Sequence, residues 1–177
     1  MHPPEFDRQA ILADNIVRLI PLKEDDFDTL YAVASDPLIW EQHPNKDRYQ
    51  REVFQTFFQG AIESKGAYLI IHKETDKVIG STRFYDTEEE NAIAIGYTFY
   101  AREYWGGKYN PSAKKLMMDH ALKYFGAVIF HIGSTNFRSQ KAIERLGAKK
   151  IGEQSIAYYG EMAKQNFIYR IGKEGWM

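Results

Sequence analysis

Tyr97-Thr98-Phe99-Tyr100-Ala101-Arg102-Glu103-Tyr104-Trp105-Gly106-Gly107-Lys108-Tyr109-Asn110-Pro111 is the stretch on which the reading of this sequence turns. An aromatic, strand-forming run feeds a glycine pair, and Asn110-Pro111 opens a helix, since proline is tolerated in a first helical turn. Glycines at a helix entrance let backbone N–H groups point outward, and the helix N-terminus favours an anion. Lys108 adds a positive charge. The geometry suits a pyrophosphate; it also suits a plain strand-to-helix turn that needs glycine for its dihedral angles. The run is neither G-x-x-x-x-G-K-[ST] nor G-x-G-x-x-G, so it supports neither an NTP-binding P-loop nor a dinucleotide Rossmann site.

Upstream, Ile16–Leu22 reads as a strand ending at a proline. Glu24–Ser35 reads as a helix, with Phe27, Leu30, Tyr31 and Ala34 on one face and acidic residues in its first turn. A second helix covers Arg51–Ser64, with Gly66 as its stop. Ala67–Lys73 and Val78–Tyr85 form a hairpin, and Ala92–Tyr100 a further strand in which Gly96 marks a bulge or a close backbone approach. Downstream, the spacing predicts a helix over Asn110–Phe125, a strand over Ala127–Ile132 and a short helix over Asn136–Leu146 closed by Gly147. Ile151–Tyr159 and Asn166–Ile171 read as a last antiparallel pair. This order gives a mixed α/β sandwich around one sheet rather than a regular doubly wound alternation.

The 177 residues suit one domain, 1–177, with its core over about 15–173. There is no cysteine, which excludes disulfide frameworks, thiolate nucleophiles and Cys-ligated metal centres. No pair of histidines has metal-ligand spacing, so no metal is expected. The formal charge of −1 provides no global basic field for nucleic acid. Met1–Arg8 lacks a secretory-signal pattern and no apolar run is long enough to span a membrane, so no membrane association is expected and the expected location is the cytoplasm.

A second stretch, Asn136-Phe137-Arg138-Ser139-Gln140-Lys141-Ala142-Ile143-Glu144-Arg145-Leu146-Gly147-Ala148, follows a strand and opens a helix. Asn136 and Ser139 share one edge of its first turn, where Asn136 also reads as a simple cap. Together the two stretches resemble the GNAT superfamily of N-acetyltransferases. In that family a strand–turn–helix carrying R/Q-x-x-G-x-G/A wraps the pyrophosphate of acetyl-CoA, and a later helix begins N-x-x-S. The likeness extends to Val17-Arg18-Leu19, Val78-Ile79-Gly80-Ser81 and Ile95-Gly96-Tyr97. It is nearest to the branch that includes ribosomal-protein N-terminal acetyltransferases.

The resemblance implies a mostly antiparallel central sheet, flanked by about four helices, with two central strands splayed to admit acetyl-CoA. It implies direct transfer to a primary amine of a small molecule or a protein N-terminus, and dimers are frequent in the family. The cofactor residues it implies are Phe99 and Tyr100 through their backbone, then Trp105, Gly106, Gly107, Lys108, Tyr109 and Asn110, with Asn136, Arg138 and Ser139 at the later helix. Lys141 on that helix is also placed for a phosphate of CoA.

Against the family pattern, Glu103 stands at the Arg/Gln position and Lys108 at the second glycine when Gly106 is the first. Lysine takes left-handed torsions at a cost, so Gly107 is expected to carry the tight turn. An alkyl amine of pKa about 10 is protonated at neutral pH and needs a base. Many members place a glutamate on the splayed strand; Ala92–Tyr97 contains no carboxylate. The tyrosine that many carry seven residues after the asparagine is Ile143 here. No catalytic acid or base is therefore assigned.

Trp40 and His43, between the first two helices, are candidates for the acceptor pocket, with His43 a base near neutral pH; a surface loop anchored by Trp40 is the other reading. Arg83 either meets a carboxylate on the acceptor or faces solvent. His131 faces the cofactor groove or the core, as a structural histidine in the plainer reading. Lys114-Lys115 and Lys149-Lys150 read as solvated faces. Tyr158-Tyr159 and Trp176 read as core or edge packing. A CoA-binding regulatory module without turnover and a transferase of longer acyl groups are the rival functions.

Overall fold

The chain forms β1 (Leu12–Ala13), β2 (Val17–Pro21), α1 (Phe27–Ala34), α2 (Arg51–Ser64), β3 (Ala67–His72), β4 (Val78–Tyr85), β5 (Ala92–Tyr100), α3 (Tyr109–Ala121), β6 (Ala127–Gly133), α4 (Phe137–Arg145), β7 (Lys149–Ile156), β8 (Lys164–Gly172) and α5 (Lys173–Trp176). The structure, a computed structural model, describes residues 3, 5–157 and 162–176. Tyr158 and Tyr159, singled out above, lie outside the described residues. The sheet order is β1-β2-β3-β4-β5-β6-β8-β7, antiparallel except for the β5–β6 pair.

Alternation along the strands feeds two cores. Val17, Leu19, Ile70, Ile93, Ile95 and Val128 pack against α3 through Met117, Met118 and Ala121. Leu69, Ile71 and Phe99 pack on the other face against Leu30 of α1 and Phe54, Phe57 and Phe58 of α2. Burying such side chains contributes about 1.5–3 kcal/mol each, which is what fixes the helices to the sheet.

Helix α2 ends at Lys65, which takes the left-handed conformation at φ 53°. The expected stop, Gly66, serves a different need: a Cβ there would lie 2.2 Å from the carbonyl oxygen of Phe84. Helix α3 starts one residue before the expected boundary and ends at Ala121. The segment expected as one helix over Glu24–Ser35 is a 3-10 turn, Glu24–Asp26, leading into α1. The two-residue β1 and the single turn α5 were not anticipated. Lys114, expected on a solvated face, is only 3% exposed.

Candidate functional site

The site begins where β5 and β6 part. They pair at Ala92–Ala127, Ile93–Val128 and Ala94–Ile129, and at no residue beyond. β5 runs on to Tyr100, while β6 stays paired to β8 as far as Gly133–Asn166. The facing backbone edges of residues 95–100 and 130–133 therefore open as a V, offering N–H and C=O groups to anything that enters.

β5 also carries a bulge. Gly96 opposes Arg83 and Phe99 opposes Ser81, so Tyr97 and Thr98 together face the single residue Thr82. Tyr97 takes φ 54° to accommodate the extra residue. The bulge reverses the alternation. Tyr97 and Phe99 turn toward α2, whereas Thr98 turns toward α3 and Tyr100 joins the α3 core. Thr98 Oγ1 lies 2.9 Å from Thr82 Oγ1 and accepts from Lys114 Nζ at 3.1 Å. Lys114 also donates to Asn110 Oδ1 at 3.3 Å. Burial pushes the Lys114 ammonium down to about 7. Sequence spacing gave no sign of this group, because one lysine among α3's polar residues reads as solvated.

A 3-10 turn, Arg102–Tyr104, leads from β5 to the glycine pair. Gly106 takes the left-handed torsion at φ 69°; Gly107, the expected carrier, does not. Lys108 is right-handed, at φ −89°, so the lysine at that position carries no backbone penalty. The first-turn N–H groups of Tyr109 and Asn110 have no acceptor within α3, and Lys108 is exposed beside them.

At the other lip, Asn136 caps α4, its Oδ1 accepting from Ser139 N at 3.3 Å. The cap of the plainer reading is thus present. Arg138 lies across the cleft mouth, its guanidinium 3.7 Å from the centre of the Trp105 ring. The Trp105 indole N–H donates to Tyr100 O at 3.0 Å, and Arg138 N donates to Gln42 Oε1 at 3.1 Å. The fold thus brings Tyr100, Trp105 and Arg138 from the two motifs together.

The residues expected at the acceptor lie on the α1/α2 side. Trp40 is 1% exposed, donating its indole N–H to Ala34 O at 2.8 Å, so it forms a buried wall rather than an open surface. His43 packs edge-on to Trp40, and its Nε2 lies 3.1 Å from a guanidinium nitrogen of Arg48. Burial, with Arg48 and Arg138 nearby, holds its pKa well below 6.5. Its ring faces a cation, which does not suit it to collect a proton. Arg83 does not face solvent: it is 4% exposed, its guanidinium stacked 3.7 Å from the centre of the Tyr97 ring.

Tyr85, given no role above, and His131, read above as facing the cofactor groove or the core, lie at the base of the V. Tyr85, at the end of β4, and His131, on β6, meet through Tyr85 Oη and His131 Nδ1 at 2.8 Å. The signal in the sequence was Gly96: a Cβ there would sit 3.1 Å from the Tyr85 ring, so the expected close approach is real, but a side chain makes it.

Among the described residues, no His, Cys, Asp and Glu side chains gather into a group able to hold a metal ion, and no helix is long and apolar enough to cross a membrane.

Residues 17–149 match the family described as an acetyltransferase (GNAT) domain. The fold is similar to that of a GCN5-related N-acetyltransferase from Brucella melitensis, with TM-score 0.82 and 19% identity over 99% of this chain and 84% of that one. It is similar to Mycobacterium smegmatis RimJ in complex with CoA-disulfide, with TM-score 0.71 and 16% identity over 98% and 91%. A ribosomal-protein-S5-alanine acetyltransferase from Vibrio fischeri gives TM-score 0.68 and 16% identity over 95% and 99%. At such identities the likeness is one of fold. No curated protein matches this chain in sequence.

Proposed function

The chain belongs to the GNAT acetyltransferase family and is an acyltransferase; we propose that it moves an acetyl group from acetyl-CoA directly to a primary amine, on a small molecule or a protein N-terminus. The carrying observation is the parting of β5 and β6 after Ala94–Ile129 with a bulge immediately beyond, at Tyr97 and Thr98. An extended, amide-bearing pantetheine arm suits an unpaired strand edge, because main-chain hydrogen bonds can then be completed as they are in strand addition. The residues present fit the co-substrate. The open β5 edge through Tyr100 would hold the arm. The left-handed Gly106, the α3 first turn and Lys108 would hold the pyrophosphate, and Arg138, Asn136 and Ser139 line the other lip. Acetyl-CoA supplies the activated acyl carbon when bound.

This chain's contribution begins with positioning. Amides fixed by the bulge are preorganised donors, and losing one such donor typically costs about 3 kcal/mol of barrier lowering. Holding the amine against the thioester supplies much of the remainder. The chain has no cysteine for a covalent acyl-enzyme through sulfur. We place the working unit at about 15–173 and the reaction in the cytoplasm.

Calorimetric titration with acetyl-CoA tests the reading, with adenosine 3′,5′-bisphosphate and NAD as controls. Micromolar binding of acetyl-CoA, weaker binding of the bisphosphate and none of NAD is expected. No heat and no thermal shift with acetyl-CoA would overturn it. Comparing acetyl-, propionyl- and succinyl-CoA with a panel of primary amines then separates acetyl transfer from longer acyl transfer and from binding without turnover.

A further inference from the structure

A tyrosine and a histidine from different strands meet at the base of the V. Tyr85 is the β4 partner of Ala94, the last β5 residue still paired to β6. Its ring crosses β5 above Gly96, where the strand has no side chain; a Cβ there would approach the ring carbon Cε1 and the hydroxyl oxygen to 3.1 Å. Crossing at that point brings the Tyr85 hydroxyl to His131 Nδ1 at 2.8 Å, with ring centroids 5.8 Å apart. His131 stands two residues past Ile129, where β5 no longer covers β6. Strand alternation puts it on the same face as Ala127 and Ile129, which is opposite α3 and is the face carrying Tyr97 and α2. Its Nε2 is engaged by no described residue and is not among the buried unpartnered atoms.

Resting on the acyl-transfer reading above, we infer that His131, aimed by Tyr85, is the general base that deprotonates the acceptor amine. In this role His131 is the Nδ1–H tautomer: Nδ1–H donates to Tyr85 Oη, and the Nε2 lone pair is then open to the cleft. Nε2 takes one proton from the acceptor's ammonium group, directly or through one water. The neutral nitrogen then forms the N–C bond as the C–S bond breaks. The second N–H proton goes to the departing sulfur, and the imidazolium returns its proton to solvent. Burial lowers the pKa of His131 and the Glu88 carboxylate, on the β4–β5 connection, opposes that shift. The Tyr85 phenol reaches it from β4, and its β8 partner Ile168 is apolar. The imidazole is thus neutral at pH 7, as a base must be. His43, the earlier candidate, faces Arg48 instead.

The test starts on the protein without substrates. Long-range ¹H–¹⁵N spectra of histidine-labelled protein, assigned with His131→Gln, should show His131 as the Nδ1–H tautomer and titrating below 6.5. Tyr85→Phe should raise its Nε2–H fraction, and acetyl-CoA should shift the resonance. An Nε2–H tautomer in the wild-type protein would overturn the inference. So would an unmoved resonance at acetyl-CoA concentrations that calorimetry shows to saturate the site. Absence of calorimetric binding instead overturns the acyl-transfer reading. With spermidine and an alanine-initiated hexapeptide as probe amines, His131→Gln should lower kcat about 100-fold and abolish the acidic limb of kcat/KM, with the Kd for acetyl-CoA unchanged. Equal kcat in wild type and variant would remove His131 from the chemistry.

Discussion

Replacing Lys114 by methionine should make this protein more stable at neutral pH and not at alkaline pH. The lysine is 3% exposed, and its Nζ touches only the neutral oxygens of Thr98 and Asn110 at hydrogen-bond distance. Among the described residues it forms no ion pair. Burial lowers its pKa from 10.5 to about 7. The unfolded chain keeps this proton up to pH 10.5 while the folded chain releases it near 7. The unfolded state therefore binds more protons throughout that window, and stability rises with pH across it. At about 1.4 kcal/mol per tenfold change in proton affinity, the charged lysine costs the fold about 5 kcal/mol well below pH 7. From pH 7 to pH 9 about 2 kcal/mol of that is recovered. Methionine keeps all but the last atom of the length and removes the charge, but it gives up two hydrogen bonds of about 1 kcal/mol each. Lys114→Met should thus exceed wild type by about 2–3 kcal/mol at pH 7 and roughly equal it at pH 9. Urea denaturation of both proteins at pH 6, 7, 8 and 9 measures the difference, in which every other titrating group cancels. A difference that stays flat between pH 7 and pH 9 would show that the lysine is solvated or paired, and would refute the argument.

Lys108→Glu should weaken acetyl-CoA binding about tenfold at low salt, with the loss shrinking as ionic strength rises; an unchanged Kd removes Lys108 from the site. Asn136→Ala deletes the α4 cap to Ser139 N and should cost about 1 kcal/mol of stability, read as a lower melting temperature. Gly96→Val should push the Tyr85 ring off β5 and break its hydrogen bond to His131, lowering turnover while the fold persists; near-UV circular dichroism checks the fold, and wild-type turnover would contradict the crossing described above.

The element order was legible because each segment carries its own pattern. Arg51–Ser64 has aromatic residues at helical spacing and begins and ends where the pattern does. The glycine-pair turn and the Asn136 helix were legible because capping and left-handed torsions demand particular residues locally. Even there the assignment to one glycine over the other failed. The right-handed Lys108 lets the chain take its single left-handed step at Gly106, and that choice depends on how β5 delivers the chain to α3.

The acceptor side was read less well, since its properties come from neighbours remote in sequence. Trp40 and Arg83 are buried by α2 and the β5 bulge, and His43 is neutralised by Arg48 and Arg138. Nothing in a local pattern marks Lys114 as buried, and strand alternation alone left His131 between groove and core. Sequence by itself determined the longer strands and helices and their order, because backbone preference and side-chain periodicity act over a few residues. Tertiary structure alone decided where β5 and β6 part, which way the bulge turns each side chain, and that a tyrosine from β4 crosses a glycine of β5 to reach a histidine of β6. Those outcomes depend on register between strands, and register is set by packing the whole sheet at once.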